Sequence, residues 1–430
     1  MNTIAHVVTC LQIGGLERVV VNLVHGFRGH DYRQLVICLE DGGPFVAEVE
    51  ALGTEVIVIG KKPGRSWSTI RQLATLFRQE RVTIVHTHNP APHFHGVLAA
   101  VLAGVPVRVH TKHGRNYPHL KKAVLLNRIL SWFTDAIVPV SDNAGDVALH
   151  VEKVNPRKIR RIWNGVDVGL YKPVESRESK VEGRIPHPST LSSPTTGLNP
   201  QLSTIDLPSP ISHRQLLTIG TVARLSPEKD QKTMLQAFKL VLDQWPQPAL
   251  SPQLSTLNPK LPSSNLRPLT ADLLPIPRLV IIGDGPCLAE LQAAAQRLGV
   301  ASHVGLLGAR SDIPTQLSTF DVFTLSSITE GISLTILEAM ACGIPIVASD
   351  VGGNREIVQP PLCGLIVPAR DPQALAAAYL ELLNDPNQRV RMGSAGCQRV
   401  GDNFSLQTMV RHYRDLYEEL LNNKSVGISK

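Results

Sequence analysis

Short β-branched, apolar runs alternate with stretches of helical period along most of this chain, and the alternation stops and restarts near Leu216. The first set of runs is Ile4–Thr9, Leu35–Leu39, Val56–Ile59, Thr83–Thr87, Val107–Thr111, Asp135–Val140 and Lys158–Ile162. Between them lie segments such as Trp67, Ile70, Leu73, Ala74 and Phe77, spaced as one face of a helix. This order leaves few folds open. A helical crossover returns the chain to the same sheet edge, so successive strands run parallel and helices cover both faces. The second set is Leu217–Val222, Leu279–Gly283, Val304–Leu307, Val322–Leu325, Ile346–Ser349 and Leu365–Val367, with helical stretches at 230–243, 286–298, 331–341 and 372–384. Two doubly wound α/β units are therefore expected. Leu406, Met409, Val410, Tyr413, Leu416, Tyr417 and Leu420 fall on one helical stripe and predict a final helix over 405–422.

Two segments interrupt the alternation. Residues 173–213 hold 7 prolines and residues 245–277 hold 8, and both carry Pro-Gln-Leu-Ser-Thr, at 200–204 and 252–256. Such Pro/Ser/Thr-rich sequence buries too little apolar surface to offset its ordering, so both read as disordered insertions. The first separates a unit at 1–172 from one at 214–404. The second joins a helix to the following strand, at the amino edge of the sheet. Ligands of open α/β sheets bind at the carboxyl edge, so neither insertion is expected to take part in chemistry.

Composition narrows the function classes. Six Cys (10, 38, 287, 342, 363 and 397) are scattered with no close pair, which argues against a zinc ribbon, an iron–sulfur site or a disulfide framework and suits a reducing compartment. The first ten residues lack a basic-then-apolar leader, and the longest near-continuous apolar run, Val97–Val107, is far short of the roughly 20 residues of a spanning helix. Of a net charge of +7, all sits in residues 1–175, which hold 21 Lys+Arg against 14 Asp+Glu. A basic first half points to an anionic partner. Aromatics are only 4% and no nucleic-acid motif accompanies the charge, so nucleic acid is not expected.

Several residues stand where chemistry could occur. Gly14-Gly15 follows the first strand and precedes a helix, where backbone N–H groups can approach a phosphate, although a tight strand–helix turn needs glycine anyway. Arg224 and Lys229 share the loop after the first strand of the second unit. They suit a diphosphate as a fork and a point charge, or form an ordinary solvated loop. Glu330 and Glu338 are read as lying along one helix that begins just after Glu330. Eight residues then separate them by about 12 Å, too far for an acid–nucleophile pair but enough to span from a sugar to a ribose. Glu338 lies between Leu337 and Ala339 in an apolar helix and needs a buried partner, which ribose hydroxyls would supply. Seven of the 15 histidines fall between 86 and 119. His86, His88, His93 and His95 could suggest a metal cluster, but no carboxylate or Cys lies near them, so no metal site is expected. His113, at a strand's carboxyl end, is the better site candidate.

Taken together, Gly14-Gly15, His113-Gly114, Asn164-Gly165-Val166-Asp167, Arg224 with Lys229, Gly283-Asp284-Gly285-Pro286, Glu330-x7-Glu338, Ala339-Met340-Ala341-x-Gly343-x-Pro345 and Gly352-Gly353-Asn354-Arg355-Glu356 resemble the retaining GT4 glycosyltransferases of the GT-B fold. The elements lie in order over almost the whole chain outside the two insertions.

The resemblance implies two Rossmann-like domains facing a central cleft, with the final helix, at about 405–423, crossing back to the first. It implies that Arg224 and Lys229 hold the donor diphosphate and stabilise it as leaving group. Glu338 would bind the ribose, Glu330 the donor sugar, His113 the sugar and the Gly14-Gly15 loop the phosphates; Gly308 would join the donor site. His113, Arg224, Lys229 and Glu330 would be the catalytic set, with no metal and no cofactor. Ser326-Ser327 stands where Pro-Ser is usual, Ile332-Ser333 where Phe-Gly is frequent and Leu406 where Trp is frequent, and the first two differences bear on sugar identity. The expected partners are a nucleotide-sugar donor, a glycan or lipid-linked acceptor and an anionic membrane surface, with a cytoplasmic location extending to the inner membrane face. A non-hydrolysing nucleotide-sugar epimerase and a catalytically inactive glycan- or lipid-binding scaffold are the alternatives.

One further helix bears on the acceptor. Tyr117–Phe133 reads as amphipathic, with Leu120, Val124, Leu126, Leu130 and Phe133 against Lys121, Lys122 and Arg128. It either packs on a core with a solvated basic side, or docks Arg115, Lys121 and Lys122 on anionic lipid.

Overall fold

The structure, a computed structural model, describes residues 1–62, 64–114, 120–173, 216–246 and 275–428. Most of each proline-rich segment lies outside the described residues, as do Arg115 and Tyr117. The ends of the second segment meet where Trp245 Nε1 donates to Pro275 O at 2.9 Å. It therefore leaves and re-enters at the amino edge of the sheet.

Among the described residues, twelve strands form two six-stranded sheets. The first holds β1 (Asn2–Val8), β2 (Tyr32–Cys38), β3 (Glu55–Val58), β4 (Ile84–His88), β5 (Val107–Lys112) and β6 (Ala136–Pro139) in the order β3-β2-β1-β4-β5-β6. The second holds β7 (Leu216–Val222), β8 (Ile276–Ile282), β9 (Val304–Leu306), β10 (Val322–Leu325), β11 (Ile346–Ser349) and β12 (Gly364–Val367) in the order β12-β11-β10-β7-β8-β9. Every pairing is parallel. Counted within each unit, both orders are 3-2-1-4-5-6, the doubly wound arrangement. Its strand order reverses between the first and fourth strands, and a crevice opens there at the carboxyl edge.

The strand expected over Lys158–Ile162 is not formed. Arg160 N and Ile162 N donate to Ile137 O and Pro139 O, so the segment runs beside β6. Pro139 has no N–H to return, and only the bridge Ile137↔Ile159 remains. Lys158 instead turns its ammonium onto the carbonyls of Ser131, Trp132 and Thr134, which close the helix Lys121–Trp132.

The chain ends in two helices. Pro386–Asn403 was not expected; Leu406–Ile428 was. Leu406–Ile428 crosses back to the first unit. Val166 N donates to Phe404 O and Leu406 N to Val166 O, Tyr417 stacks on Phe27, and Lys424 Nζ pairs with Asp135 at 2.7 Å. One buried apolar cluster runs from Ile4 and Phe27 through Leu406, Tyr413 and Tyr417 to residues of the second unit such as Phe323 and Leu337. At about 25 cal/mol per Å² of apolar area removed from water, a seam of this size holds the two units in register.

Candidate active site

Both reversal points open toward the space between the sheets. In the second unit the loop after β7 carries Arg224 and Lys229, and the loop after β10 carries Ser326, Ser327 and Glu330. Their side chains meet. Lys229 Nζ lies 2.6 Å from Glu330 Oε1, and Ser327 Oγ donates to the same oxygen at 2.6 Å. Ser326 Oγ donates to the carbonyls of Lys229 and Asp230 at 3.0 and 2.9 Å, which stitches the two loops together. The serines flagged only as departures from the resemblance are thus what hold Glu330 and the Lys229 backbone in place. Their small hydroxyls left no periodic signal in the sequence.

The Arg224 loop is built against a glycine turn. Ala223 N donates to Ile282 O, Leu225 N to Asp284 O and Cys287 N to Leu225 O. Gly283 and Gly285 have φ of 141° and 155°, and a Cβ on either would collide with the carbonyl of Ala223 or Leu225. Only glycine permits that approach. Gly308 accepts from Gly283 N at 2.8 Å, so its shown contact braces this turn. Arg224 itself is exposed at the mouth of the loop.

Glu330 and Glu338 do not share a helix. The helix is Leu334–Ala341, capped by Ser333, whose Oγ accepts from Ile336 N. Glu330 sits on the preceding loop, so the 12 Å spacing along one axis does not apply. The β-region backbone of Ser333, at φ −78° and ψ 115°, separates loop from helix. Glu338 is buried, and burial raises its carboxyl to about 7. Its partner is Tyr171, whose hydroxyl hydrogen-bonds to it. The buried partner that the sequence demanded is therefore protein, contributed by the end of the first unit. The positive charge of Arg18 also reaches Glu338 and lowers its carboxyl against the effect of burial.

Arg18 belongs to the helix Gly15–Gly26, which Gly14 caps in extended conformation. It is held by Glu48 and lies 4.2 Å over the Phe45 ring. Sequence reasoning missed both Arg18 and Tyr171. Arg18 stood three residues from the flagged glycines, and Tyr171 stood at the rim of the linker.

His113 follows β5 and touches the second unit directly. A Cβ on Gly331 would collide with the His113 carbonyl, so the backbones of His113 and of the Glu330 loop are in contact. The cleft is also tied at its far side. Glu356 accepts from Asp142 N and Asn143 N at 2.9 and 3.2 Å, placing a carboxylate of the second unit at the start of a short helix of the first. Of the four histidines at 86, 88, 93 and 95, for which no metal cluster was expected, only His86 and His88 stay together. His93 and His95 turn elsewhere: His93 stacks on His110 at 3.7 Å and 5°, and His95 bonds Ala91 O. His6 joins His86 and His88 instead.

The site thus presents two cations on one loop, a serine-held glutamate and a histidine across the cleft. A family model described as glycosyl transferases group 1 matches residues 212–399, and a second, described as Glycosyltransferase Family 4, matches residues 13–170. The chain belongs to this glycosyltransferase family. The Escherichia coli UDP-Gal:alpha-D-GlcNAc-diphosphoundecaprenol alpha-1,3-galactosyltransferase is 25% identical over 435 residues, covering 98% of both chains. The Bacillus anthracis N-acetyl-alpha-D-glucosaminyl L-malate synthase is 22% identical, covering 83% of this chain and 80% of its own. Among solved structures, Anabaena HepE in complex with UDP superposes with a TM-score of 0.73 at 20% identity, covering 97% of this chain and all of that one. The fold is that of the GT-B glycosyltransferases. The alternatives of an epimerase or an inactive scaffold gain no support from these relatives.

Proposed function

We propose that this glycosyltransferase moves a sugar from a uridine diphosphate donor to a lipid-linked sugar acceptor, with retention of configuration and without a metal ion. The observation that carries the reading is the Lys229–Glu330 pair at a β-strand reversal point, with Arg224 on the same loop. Two cations there, Lys229 anchored by Glu330 and Arg224 exposed beside it, meet the charge that grows on a departing diphosphate, and preorganised charge is a large catalytic term. In the reaction the bond from the anomeric carbon to the diphosphate breaks. A bond to the acceptor oxygen forms on the same face, and the acceptor proton passes to the leaving phosphate oxygen.

His113, Arg224, Lys229 and Glu330 make up the catalytic set in this reading. Glu338 holds the ribose, and Gly14, Gly15 and Gly308 shape the donor pocket. The first unit, residues 1–172, takes the acceptor; the second, residues 214–404, takes the donor. The relatives support the donor and acceptor classes: UDP-Gal and a diphosphoundecaprenol-linked sugar for the E. coli enzyme, UDP for the Anabaena structure.

The helix Lys121–Trp132 supports docking at an anionic membrane. It does not bury the stripe read from sequence. Its buried residues are Asn127, Leu130 and Ser131, while Leu125 is 57% and Trp132 66% exposed beside exposed Ile129, Lys121, Lys122 and Arg128. Apolar tips among cations suit an interfacial helix, each basic residue adding about 1 kcal/mol near anionic lipid. Among the described residues no helix is long and apolar enough to cross a membrane.

A thermal-shift screen of UDP, GDP, ADP and dTDP tests the donor assignment, since binding to the native state alone raises Tm. UDP should stand out, with no dependence on added chelator. The anomeric configuration of the first product, read by proton NMR, tests retention. Sedimentation with phosphatidylglycerol vesicles tests docking: it should fall with salt and in the Lys121→Glu/Lys122→Glu variant. An inverted product, or no response to any nucleotide, would overturn the reading.

A further inference from the structure

Beside the charged cleft, the first sheet carries a line of three imidazoles. β1 pairs with β4 so that His6 lies opposite His86, and β4 pairs with β5 so that His88 lies opposite Thr111. His88 is buried on the sheet, with Nδ1 3.1 Å from His113 Nε2 and Nε2 3.5 Å from His6 Nδ1. The line has two ends. His113 Nδ1 and His6 Nε2 are shut off from solvent and have no hydrogen-bond partner of full geometry among the described residues.

The three nitrogens that gather here are not poised for a metal. His86 is committed at both nitrogens, to Thr111 Oγ1 and to the Tyr417 hydroxyl, each at 2.7 Å. His88 is likewise committed on both sides. The nitrogens of His6, His86 and His88 come within 4.8 Å of one another, and the hydrogen bonds above already engage them.

Direction along the line follows from Gln34. It lies on β2 opposite Ile4, which makes it the diagonal neighbour of His6 on the same sheet face. Its Nε2 donates to Val24 O at 3.0 Å, which fixes the amide orientation; its Oε1, like His6 Nε2, has no hydrogen-bond partner of full geometry, and Gln34 is the neighbour that acts on His6 as an acceptor. All three rings are neutral at physiological pH, because burial holds His6 near 4, His88 well below its ordinary value and His113 near 3. A neutral imidazole has one N–H and one lone pair. With an amide oxygen beside it, His6 Nε2 carries the proton and Nδ1 the lone pair. His88 must then donate from Nε2 and accept at Nδ1, and His113 must donate from Nε2. The opposite order would set two lone pairs against each other at His6.

We propose that Gln34, His6 and His88 act as positioning residues that lock His113 in its Nε2–H tautomer, so that Nδ1 presents a lone pair to a hydroxyl of the donor sugar. The proposal rests on the reading that the donor sugar lies against His113. It makes His113 a hydrogen-bond acceptor, selecting a sugar that bears a free hydroxyl at the contacted carbon.

Histidine-selective nitrogen-15 NMR on the full chain tests it, with His113→Gln used to assign the signal. The expected wild-type spectrum at pH 7.5 shows His113 with a pyrrole-type Nε2 and a pyridine-type Nδ1. His88→Phe, which keeps the ring volume and removes both nitrogens, should give a mixture of tautomers. It should also lower kcat/KM for UDP-galactose or UDP-glucose about tenfold, the scale of one hydrogen bond, while the Kd for UDP changes less than twofold. Gln34→Met should relax the tautomer in the same direction, which keeps the test decisive where His88→Phe fails to fold. A wild-type His113 protonated on Nδ1, or on both nitrogens, would overturn the lock, as would an unchanged tautomer in both variants. A UDP-sugar that leaves the Nδ1 signal unmoved would overturn the placement of the sugar while leaving the lock standing.

Discussion

The two sheets share one strand order and turn their reversal points toward the same cleft, yet they line it with opposite chemistry. In the second sheet the crevice is charged: Arg224 and Lys229 on one loop, Glu330 on the other, joined at 2.6 Å. In the first it is neutral, with the rings of His6, His88 and His113 kept uncharged by burial. The difference follows from what each half must hold. A diphosphate needs permanent positive charge that survives partial solvation, which Arg and a half-exposed Lys supply. A sugar hydroxyl is read by a fixed lone pair or N–H, and a charged group would blur that choice by binding water. In the reading proposed above, leaving-group stabilisation falls to the second sheet and one sugar contact, His113, to the first.

The sharpest way to break this division is to remove charge from the second sheet. Lys229→Ala should lower kcat by about 10²–10³, the usual cost of one preorganised contact to developing charge. Arg224→Ala should act in the same direction. Release of UDP at saturating donor measures both. If either variant turns over near the wild-type rate, the cations do not face the leaving group and the comparison collapses.

The two glutamates sharpen it further, with smaller effects. Glu338→Ala should weaken UDP itself about 10-fold, because a buried ribose contact exists before and during reaction. Glu330→Ala should lower kcat and leave the Kd for UDP within about threefold, since Glu330 sits on the loop and not on the ribose helix. Calorimetric titration with UDP separates the two. Equal loss of UDP binding in both would place them in one subsite.

Acidity offers a subtler contrast. Burial raises Glu338 from 4.5 to about 7, so the native state keeps a proton that the unfolded chain has already released. A native state that binds more protons loses stability as pH rises, here across the window from 4.5 to 7. The buried histidines act the other way and alike in both proteins, so the difference is what counts: Glu338→Gln, which stays neutral, should gain in Tm relative to wild type from pH 5 to pH 7.5. Parallel curves for the two proteins would mean that Glu338 ionises as an ordinary surface carboxylate.

Much of this was legible in the chain because period and punctuation are local. All twelve strands coincide with β-branched runs, and Arg224, Lys229 and Glu330 stood at strand ends. What escaped was decided by distant partners. The Lys158–Ile162 run looked like a strand but lay against Pro139, which cannot return a hydrogen bond. The helix Pro386–Asn403 is polar and holds three glycines, a poor helix former by propensity. One of them, Gly393, is required because a Cβ there would collide with the Gly343 carbonyl of the second unit. Tyr171, Arg18 and Glu356 act across the cleft, and no spacing within one segment records a contact with another domain. His88 was visible as a histidine two residues from His86, but its tie to His113 depends on strand register. The roles proposed for the site residues rest on their placement and on the predictions made here.

The smallest effect concerns what joins the two halves. Glu356 of the second unit accepts from Asp142 N and Asn143 N of the first, at the N-terminus of the helix Asp142–Asp146. A half-buried carboxylate at such a terminus contributes about 0.3–1 kcal/mol, so Glu356→Ala should cost no more than a few degrees in Tm. Its informative consequence is geometric. The seam along Leu406–Ile428 keeps the units attached on one side, and Glu356 ties them on the other. Without that tie the cleft should open wider when no donor is present. Small-angle scattering should then show a larger radius of gyration for Glu356→Ala than for wild type, and saturating UDP-sugar should bring the two together. Glu356→Gln should fall between them, since its amide oxygen still accepts a hydrogen bond but carries no charge. Identical radii in all three proteins would mean that the C-terminal seam and the backbone contact of His113 with Gly331 set the distance between the charged and the neutral wall without Glu356.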